Sequence, residues 1–447
     1  MGDTGFFLDD VDMQRYLMDG FISTHTCHEA SFHARIYDQI DSLYTTEGNP
    51  GNNILAKVPD LYGIMRDSAV DHALQSLLGQ RYVLHPHRHC HLNPAGSKGQ
   101  RQHKDSYEAD ENVRHHKSRW AMAFYYPQDV DEEMGPSSIL RGSQYYMDEI
   151  QAHGQPEIPL CGPAGTVVIV HYDLWHRAMP NISEKDRYMV KFLFCRTSEP
   201  RSPSWDNTDP LWRVLPEPTV VRPPENLCKH MWTWHQGIDA TVTPSAGNYT
   251  GTVDQISDAS ESNGLHAAYA IDGASDDSVT DLIDLLRIDG ETHVDSNLAS
   301  PHTNPCEFRT SHALSALGGA AVPALTDLLQ DDNWLMRATA ADILGDIGAV
   351  AEAALPHLVV LSNDESEWVR RNVAEALGNI GIAGRGVVET LIHLLDDPVA
   401  SVGLNAVYSI GKIGTIPEQA KRALRNTASS SDEYLKSYAE LLLAPSS

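Results

Sequence analysis

The sequence lacks several features that would class it at once, and each absence removes a possibility. Its six cysteines (27, 90, 161, 195, 228 and 306) are scattered with no CxxC pair, so neither a disulfide framework nor a thiolate zinc site is indicated. No run approaches the roughly 18 apolar residues that a membrane helix requires. The start, "MGDTGFFLDDVDMQRY", carries acids where a secretory leader carries bases, which gives a cytoplasmic expectation. Positive charge is also scarce: 33 Lys+Arg face 61 Asp+Glu, a formal net charge of −28. From Gly237 onward the balance is 11 against 30, so most of the excess lies in the second half. Such a surface repels phosphate backbones and weighs against nucleic-acid binding, while a basic protein partner stays open. No P-loop, dinucleotide fingerprint or nucleophile elbow occurs.

What is present divides near residue 236. A chain of 447 residues exceeds one ordinary core. Before the break, β-rich runs such as "RWAMAFYY", "GTVVIVHY" and "RYMVKFLFC" alternate with turn clusters, which predicts a β-rich domain over 1–236. A polar stretch over 237–261, "GIDATVTPSAGNYTGTVDQISDASE", reads as a linker. After it a period appears: "ILGDIG", "ALGNIG" and "SIGKIG" end at Gly348, Gly381 and Gly414, 33 residues apart each time. Each unit runs as an Asp-rich turn, an amphipathic helix, a glycine stop and a second helix. Paired helices that cannot bury their apolar faces alone do so by stacking, so 262–447 is expected to form an α-solenoid, with "RIDGETHVDSNLASPHTNPCEF" as an insertion. With "VRRNVAEALGNIG" as the signature, these units resemble HEAT-like repeats. That resemblance implies a protein-interaction or self-association module.

Chemistry concentrates in the first part. In "QHKDS", His103 and Asp105 are two residues apart, and on an extended backbone such residues share a face with Cα atoms about 6.5–7 Å apart. Later, in "AGTVVIVHYDLWHRAMPNISEKDRYMVKFLF", a buried strand leads to His176, and Arg187 opens the next strand. Two imidazoles and one carboxylate with open positions suit a non-haem Fe(II) site. An arginine one strand away suits bidentate pairing with a carboxylate whose other end chelates the metal.

Four segments, "VDMQRYLMDGFIST", "QHKDS", "DEEMGPSSILRGSQ" and "GTVVIVHYDLWHRAMPN…DR", resemble in order and spacing the phytanoyl-CoA dioxygenase family of Fe(II)/2-oxoglutarate oxygenases. The resemblance covers roughly the first 235 residues and implies an α+β domain built on a double-stranded β-helix, or jelly roll. By it, His103, Asp105 and His176 bind Fe(II), and Arg187 holds the distal carboxylate of 2-oxoglutarate. It also implies O2 as cosubstrate, hydroxylation of an unactivated C–H, and release of succinate and CO2. The family's serine two residues after the distal histidine is Ala178 here, so one hydrogen bond to the cosubstrate is missing or supplied by another group. Because the metal carboxylate Asp105 is present, hydroxylation is expected rather than halogenation.

"HPHRHCHLN" places His85, His87, His89 and His91 on one strand face. The row is expected to line the barrel interior, with His87 and His91 near the cosubstrate and the others contacting substrate or packing. A polar lining suits a polar or anionic small molecule. His115 and His116 in "ENVRHHKSRW" read as a solvated loop, and Trp120, Phe124 and Tyr125 as core. Two other readings stand beside the small-molecule hydroxylase. One is an adaptor whose barrel is silent or senses iron or 2-oxoglutarate, and the other is a hydroxylase of a protein docked on the repeats.

Overall fold

The structure is a computed structural model, and it describes residues 7–105, 115–147, 152–213, 223–238, 252–258, 260–271, 276–297 and 304–444. Contacts divide the chain into two units. One comprises 1–105, 116–196 and 202–223; the other comprises 106–115, 197–201 and 224–447.

The first unit opens on a helix, Asp10–Asp19, whose N-cap Asp9 accepts the Asp12 N–H at 2.9 Å. The next carboxylate, Asp10, gathers donors from a distant segment: Trp205 Nε1 at 2.7 Å, Asn207 Nδ2 and Thr208 N and Oγ1 at 2.8 Å, and Asp209 N at 2.9 Å. Burial works against its charge, but hydrogen bonds from Trp205, Thr208 and Asn207 outweigh it and hold this carboxyl down at about 2.

Among the described residues eight strands follow in chain order: β1 Phe21–His25, β2 Tyr82–Asn93, β3 Trp120–Tyr125, β4 Ser137–Leu140, β5 Glu157–Pro159, β6 Thr166–His171, β7 His176–Ala178 and β8 Arg187–Arg196. They form two antiparallel sheets, ordered β1-β6-β3-β8-β2 and β5-β4-β7. β8 is buried along its whole length and pairs on both sides, with β2 and β3. Its two faces differ because side chains alternate. Tyr188 faces the helix Ala30–Thr46, where it packs against Tyr37 and Tyr44 and donates to Asp41 at 3.0 Å. Arg187, Met189 and Lys191 point the other way, into a cavity.

The second unit is helical. The helices Trp334–Ile347, Glu367–Ile380 and Ala400–Lys412 pack in succession. The 33-residue glycine has a steric cause: a Cβ at Gly345 would lie 2.8 Å from Ala376 Cα, and one at Gly378 2.6 Å from Ser409 Cα. Only glycine lets consecutive helices approach this closely. Polar contacts keep the same period. Arg337 forms a two-pronged pair with Asp364 (2.7 and 3.0 Å), and Arg370 repeats it with Asp397 (2.7 and 3.1 Å). Each arginine also caps carbonyls of its preceding turn, Asp331 and Asp332 in one case and Asp364 and Glu365 in the other.

Three expectations change here. The helix Glu225–His235 groups with the helical unit and not with the strands, burying Leu227, Met231 and Trp232 and setting His230 against Tyr269 at 5.2 Å. The stretch expected as an insertion begins inside one 22-residue helix, Asp276–Asn297. His115 and His116 are not solvated. His116 is buried in the first unit with its ring edge-on to Tyr145 at 5.3 Å. His115 belongs to the helical unit, where its Nε2 lies 3.0 Å from Asp342 and its Nδ1 3.8 Å from Asp346. Burial opposes the imidazolium, but those two carboxylates outweigh it and push His115 up to about 9. Most of the expected linker, residues 239–251 and 259, lies outside the described residues.

Candidate metal and cosubstrate site

His103 and His176 are cross-strand partners. The His103 N–H donates to the His176 carbonyl at 2.9 Å and the His176 N–H returns the bond at 3.0 Å, so both imidazoles leave the backbone on one face with ring centroids 4.6 Å apart. Asp105, two residues on, turns to the same face, and its Oδ2 lies 3.6 Å from His176 Nε2. One ligand atom from each of the three side chains lies within 4.8 Å of the other two.

Backbone carbonyls fix how the imidazoles are presented. His103 Nδ1 donates to the Arg101 carbonyl at 3.0 Å and His176 Nδ1 to the Leu174 carbonyl at 2.9 Å. Each ring therefore offers Nε2 as a lone pair, the tautomer a metal needs. Burial drives His176 down to about 4, against the pull of Asp105, and so keeps it neutral. Burial alone would raise the Asp105 carboxyl; Lys191, His176 and His103 outweigh it and hold it far below the usual carboxylate range. The Lys191 ammonium sits 2.8 Å from Asp105 Oδ2 with its side chain 6% exposed. Two nitrogens and one oxygen, neutral and anionic respectively and crowded on one side, fit a divalent ion with open positions.

The triad lines a cavity of about 210 Å³. Arg187 lines the same cavity; 1% exposed, it donates from Nε (3.1 Å) and Nη2 (2.8 Å) to the Gly135 carbonyl. That carbonyl also accepts Asn93 Nδ2 at 2.8 Å. The Gly-Pro turn is thus a structural receiver for Arg187, and Gly135 cannot carry a side chain: φ is +63°, and a Cβ would lie 2.5 Å from Asn93 Nδ2. Among the described residues Arg187 has no carboxylate partner. Burial pushes its pKa down, which marks the cost of keeping this cation without a counter-ion.

The histidine row divides. His91 lines the cavity, and its buried Nε2 has no hydrogen-bond partner among the described residues; burial, then Lys191 and His89, drives its pKa far down. His87 does not line the cavity, contrary to expectation. The pairing of β2 with β8 slips between Leu84 and Arg88, where four residues of β2 run beside two of β8, so the simple alternation fails there. His85 is buried against Trp120 at 5.5 Å, and His89 bonds Asn49 at 3.0 Å. Among the cavity residues that were not foreseen are Lys191 and Ser137. Lys191 was visible as a charge four residues after Arg187 in an otherwise apolar strand. Ser137 had no signal, because its place depends on pairing across 41 residues.

Residues 29–189 match the model of the phytanoyl-CoA dioxygenase family. Residues 321–351 and 355–444 match models of HEAT repeats. None of the curated proteins matches the chain. Among solved structures it is similar to SnoN, a non-heme alpha ketoglutarate dependent epimerase from nogalamycin biosynthesis, at 15% identity and TM-score 0.37 over 42% of this chain and 83% of that one. It is likewise similar to EctD from S. alaskensis with 2-oxoglutarate and 5-hydroxyectoine, at 15% identity and TM-score 0.38 over 44% and 79%. Residues 29–189 are thus similar to the phytanoyl-CoA dioxygenase family, and residues 321–351 and 355–444 to HEAT repeats.

Proposed function

We propose that the strand-bearing unit is an Fe(II)- and 2-oxoglutarate-dependent dioxygenase, built as a double-stranded β-helix, that hydroxylates an unactivated C–H of a polar small molecule. The carrying observation is a single cavity lined both by His103, Asp105 and His176 and by the buried Arg187, which has no carboxylate partner among the described residues. When bound, Fe(II) and 2-oxoglutarate supply the oxidation, in which R–H, O2 and 2-oxoglutarate give R–OH, succinate and CO2.

The chain's own residues do the rest. His103 and His176, each presenting Nε2, and ionised Asp105 hold the metal on one side. Arg187 takes the distal carboxylate with its planar fork, gaining the counter-ion it otherwise lacks. His91 Nε2 lies in the same cavity as a further polar contact. Phe124 and Met189 line the wall and limit water. The HEAT repeats form an α-solenoid that serves protein interaction or self-association.

The test is anaerobic addition of Fe(II) and 2-oxoglutarate, recording the weak visible charge-transfer band. The band is expected with the intact protein and absent in His176→Ala. A band that survives that substitution refutes the assignment.

A further inference from the structure

Across the strand pair from Ala178 lies a hydroxyl that the reading above leaves without a role. β4 pairs antiparallel with β7 so that Ile139 faces His176 and Ser137 faces Ala178. Alternation sets the faces: the Ser138 hydroxyl turns away and donates to Glu157 at 2.7 Å, whereas Ser137 and Ala178 both line the cavity with Arg187. Ser137 is 3% exposed. Its N–H donates to the Tyr126 hydroxyl at 3.1 Å, and its own hydroxyl also lies within hydrogen-bonding reach of that oxygen, at the wall of the cavity. A serine hydroxyl both donates and accepts and rotates to suit, so one that lines a cavity beside an arginine without a counter-ion can turn its O–H from Tyr126 onto the same anion.

From this we infer that Ser137 is a cosubstrate-binding residue, its hydroxyl donating to the carboxylate that Arg187 holds. Resting on the dioxygenase reading, this assigns the hydrogen bond that Ala178 cannot make to the residue directly across the strand pair. Cross-strand partners have Cβ atoms about 4.5–5.5 Å apart, so a hydroxyl at either position reaches the same end of the cavity. The two positions are then interchangeable: a serine is needed at one of them, and this chain has placed it on β4.

The experiment compares wild type, Ser137→Ala, and the double exchange Ser137→Ala with Ala178→Ser. Each is titrated anaerobically with 2-oxoglutarate in the presence of Fe(II), following the visible band, and with Mn(II) alone by electron paramagnetic resonance. Ser137→Ala is expected to weaken 2-oxoglutarate binding about tenfold, the effect of one hydrogen bond to a charged group. Its Mn(II) affinity should match wild type, because the hydroxyl is not one of the three metal-holding groups. The double exchange should return the affinity to within about threefold of wild type. Unchanged 2-oxoglutarate affinity in Ser137→Ala overturns the inference, as does a loss that the double exchange fails to restore. A wild type that gives no band overturns the dioxygenase reading itself, an outcome independent of Ser137.

Discussion

Arg187→Met should separate binding from stability, because the two demands on this side chain oppose one another. In the ligand-free protein the guanidinium is 1% exposed and its acceptor is one neutral carbonyl, that of Gly135. Removing it forfeits two hydrogen bonds from a charged donor, worth about 1.5–3 kcal/mol together. It also lifts the desolvation cost of a buried cation, several kcal/mol after relaxation. Gly135 keeps Asn93 Nδ2 at 2.8 Å, so its carbonyl is not orphaned. Methionine, flexible and apolar, fills most of the vacated volume beside Met189. The sum favours the variant, and the ligand-free protein is expected to gain about 1–3 kcal/mol in urea unfolding. Meanwhile 2-oxoglutarate loses a two-pronged, desolvated charge pair, which costs about 2–5 kcal/mol, or roughly 30- to 5,000-fold in affinity. Urea melts without ligand and band titrations with it measure the two terms separately. A variant that is less stable than wild type and still binds 2-oxoglutarate normally would show that Arg187 is an ordinary core residue.

Three further predictions concern other parts of the chain. The Asp10 carboxyl, held at about 2 against an ordinary 3.8, contributes stability that is complete above pH 4 and disappears as pH falls from 4 towards 2. Discounted for solvent screening the contribution is about 1–2 kcal/mol, so Asp10→Asn should lower stability by that amount at pH 7 and flatten the unfolding free energy between pH 4 and 2; an unaltered pH slope would exclude the linkage. Lys191 occupies the Asp105 oxygen that also faces His176, and by Coulomb's law a unit charge a few ångströms from a divalent ion costs several kcal/mol even at an effective dielectric of about 20. Lys191→Met should therefore bind Mn(II) at least about tenfold more tightly, and weaker binding would mean that the ammonium orients Asp105 for the metal. In the repeats, Arg370→Ala removes the paired bonds to Asp397 and leaves that 6%-exposed carboxylate without this partner. Amide exchange in the helix Ala400–Lys412 should accelerate with a local loss of about 2–3 kcal/mol, and a change under about 0.5 kcal/mol would make the ladder decorative.

How much of this was legible in the sequence follows from what each inference required. Strand existence and side-chain direction depend on alternation over a few residues, so "RYMVKFLFC" could be read as β8, and Arg187 could be placed on one of its faces. The repeat was legible because the steric demand at Gly345 and Gly378 recurs at a fixed step, and composition records a recurring demand. Register is a different kind of fact. Ser137 meets Ala178 only because β4 and β7 pair at one offset among several that their few residues allow, and no local propensity selects that offset. The same limit misplaced His87: counting back from "NPAG" to His91 and His87 assumes an unbroken ladder, and the slip between Leu84 and Arg88 spends two residues without advancing along β8. His115 shows the limit at longer range, since a histidine in a polar stretch reads as solvated until two carboxylates more than 220 residues away, Asp342 and Asp346, bury it. Lys191 alone was available and overlooked. A lysine in a strand buried on both faces must have an anion to meet, and its spacing of four from Arg187 placed it on the cavity face, so the alternation that located the arginine also pointed to the ammonium beside Asp105.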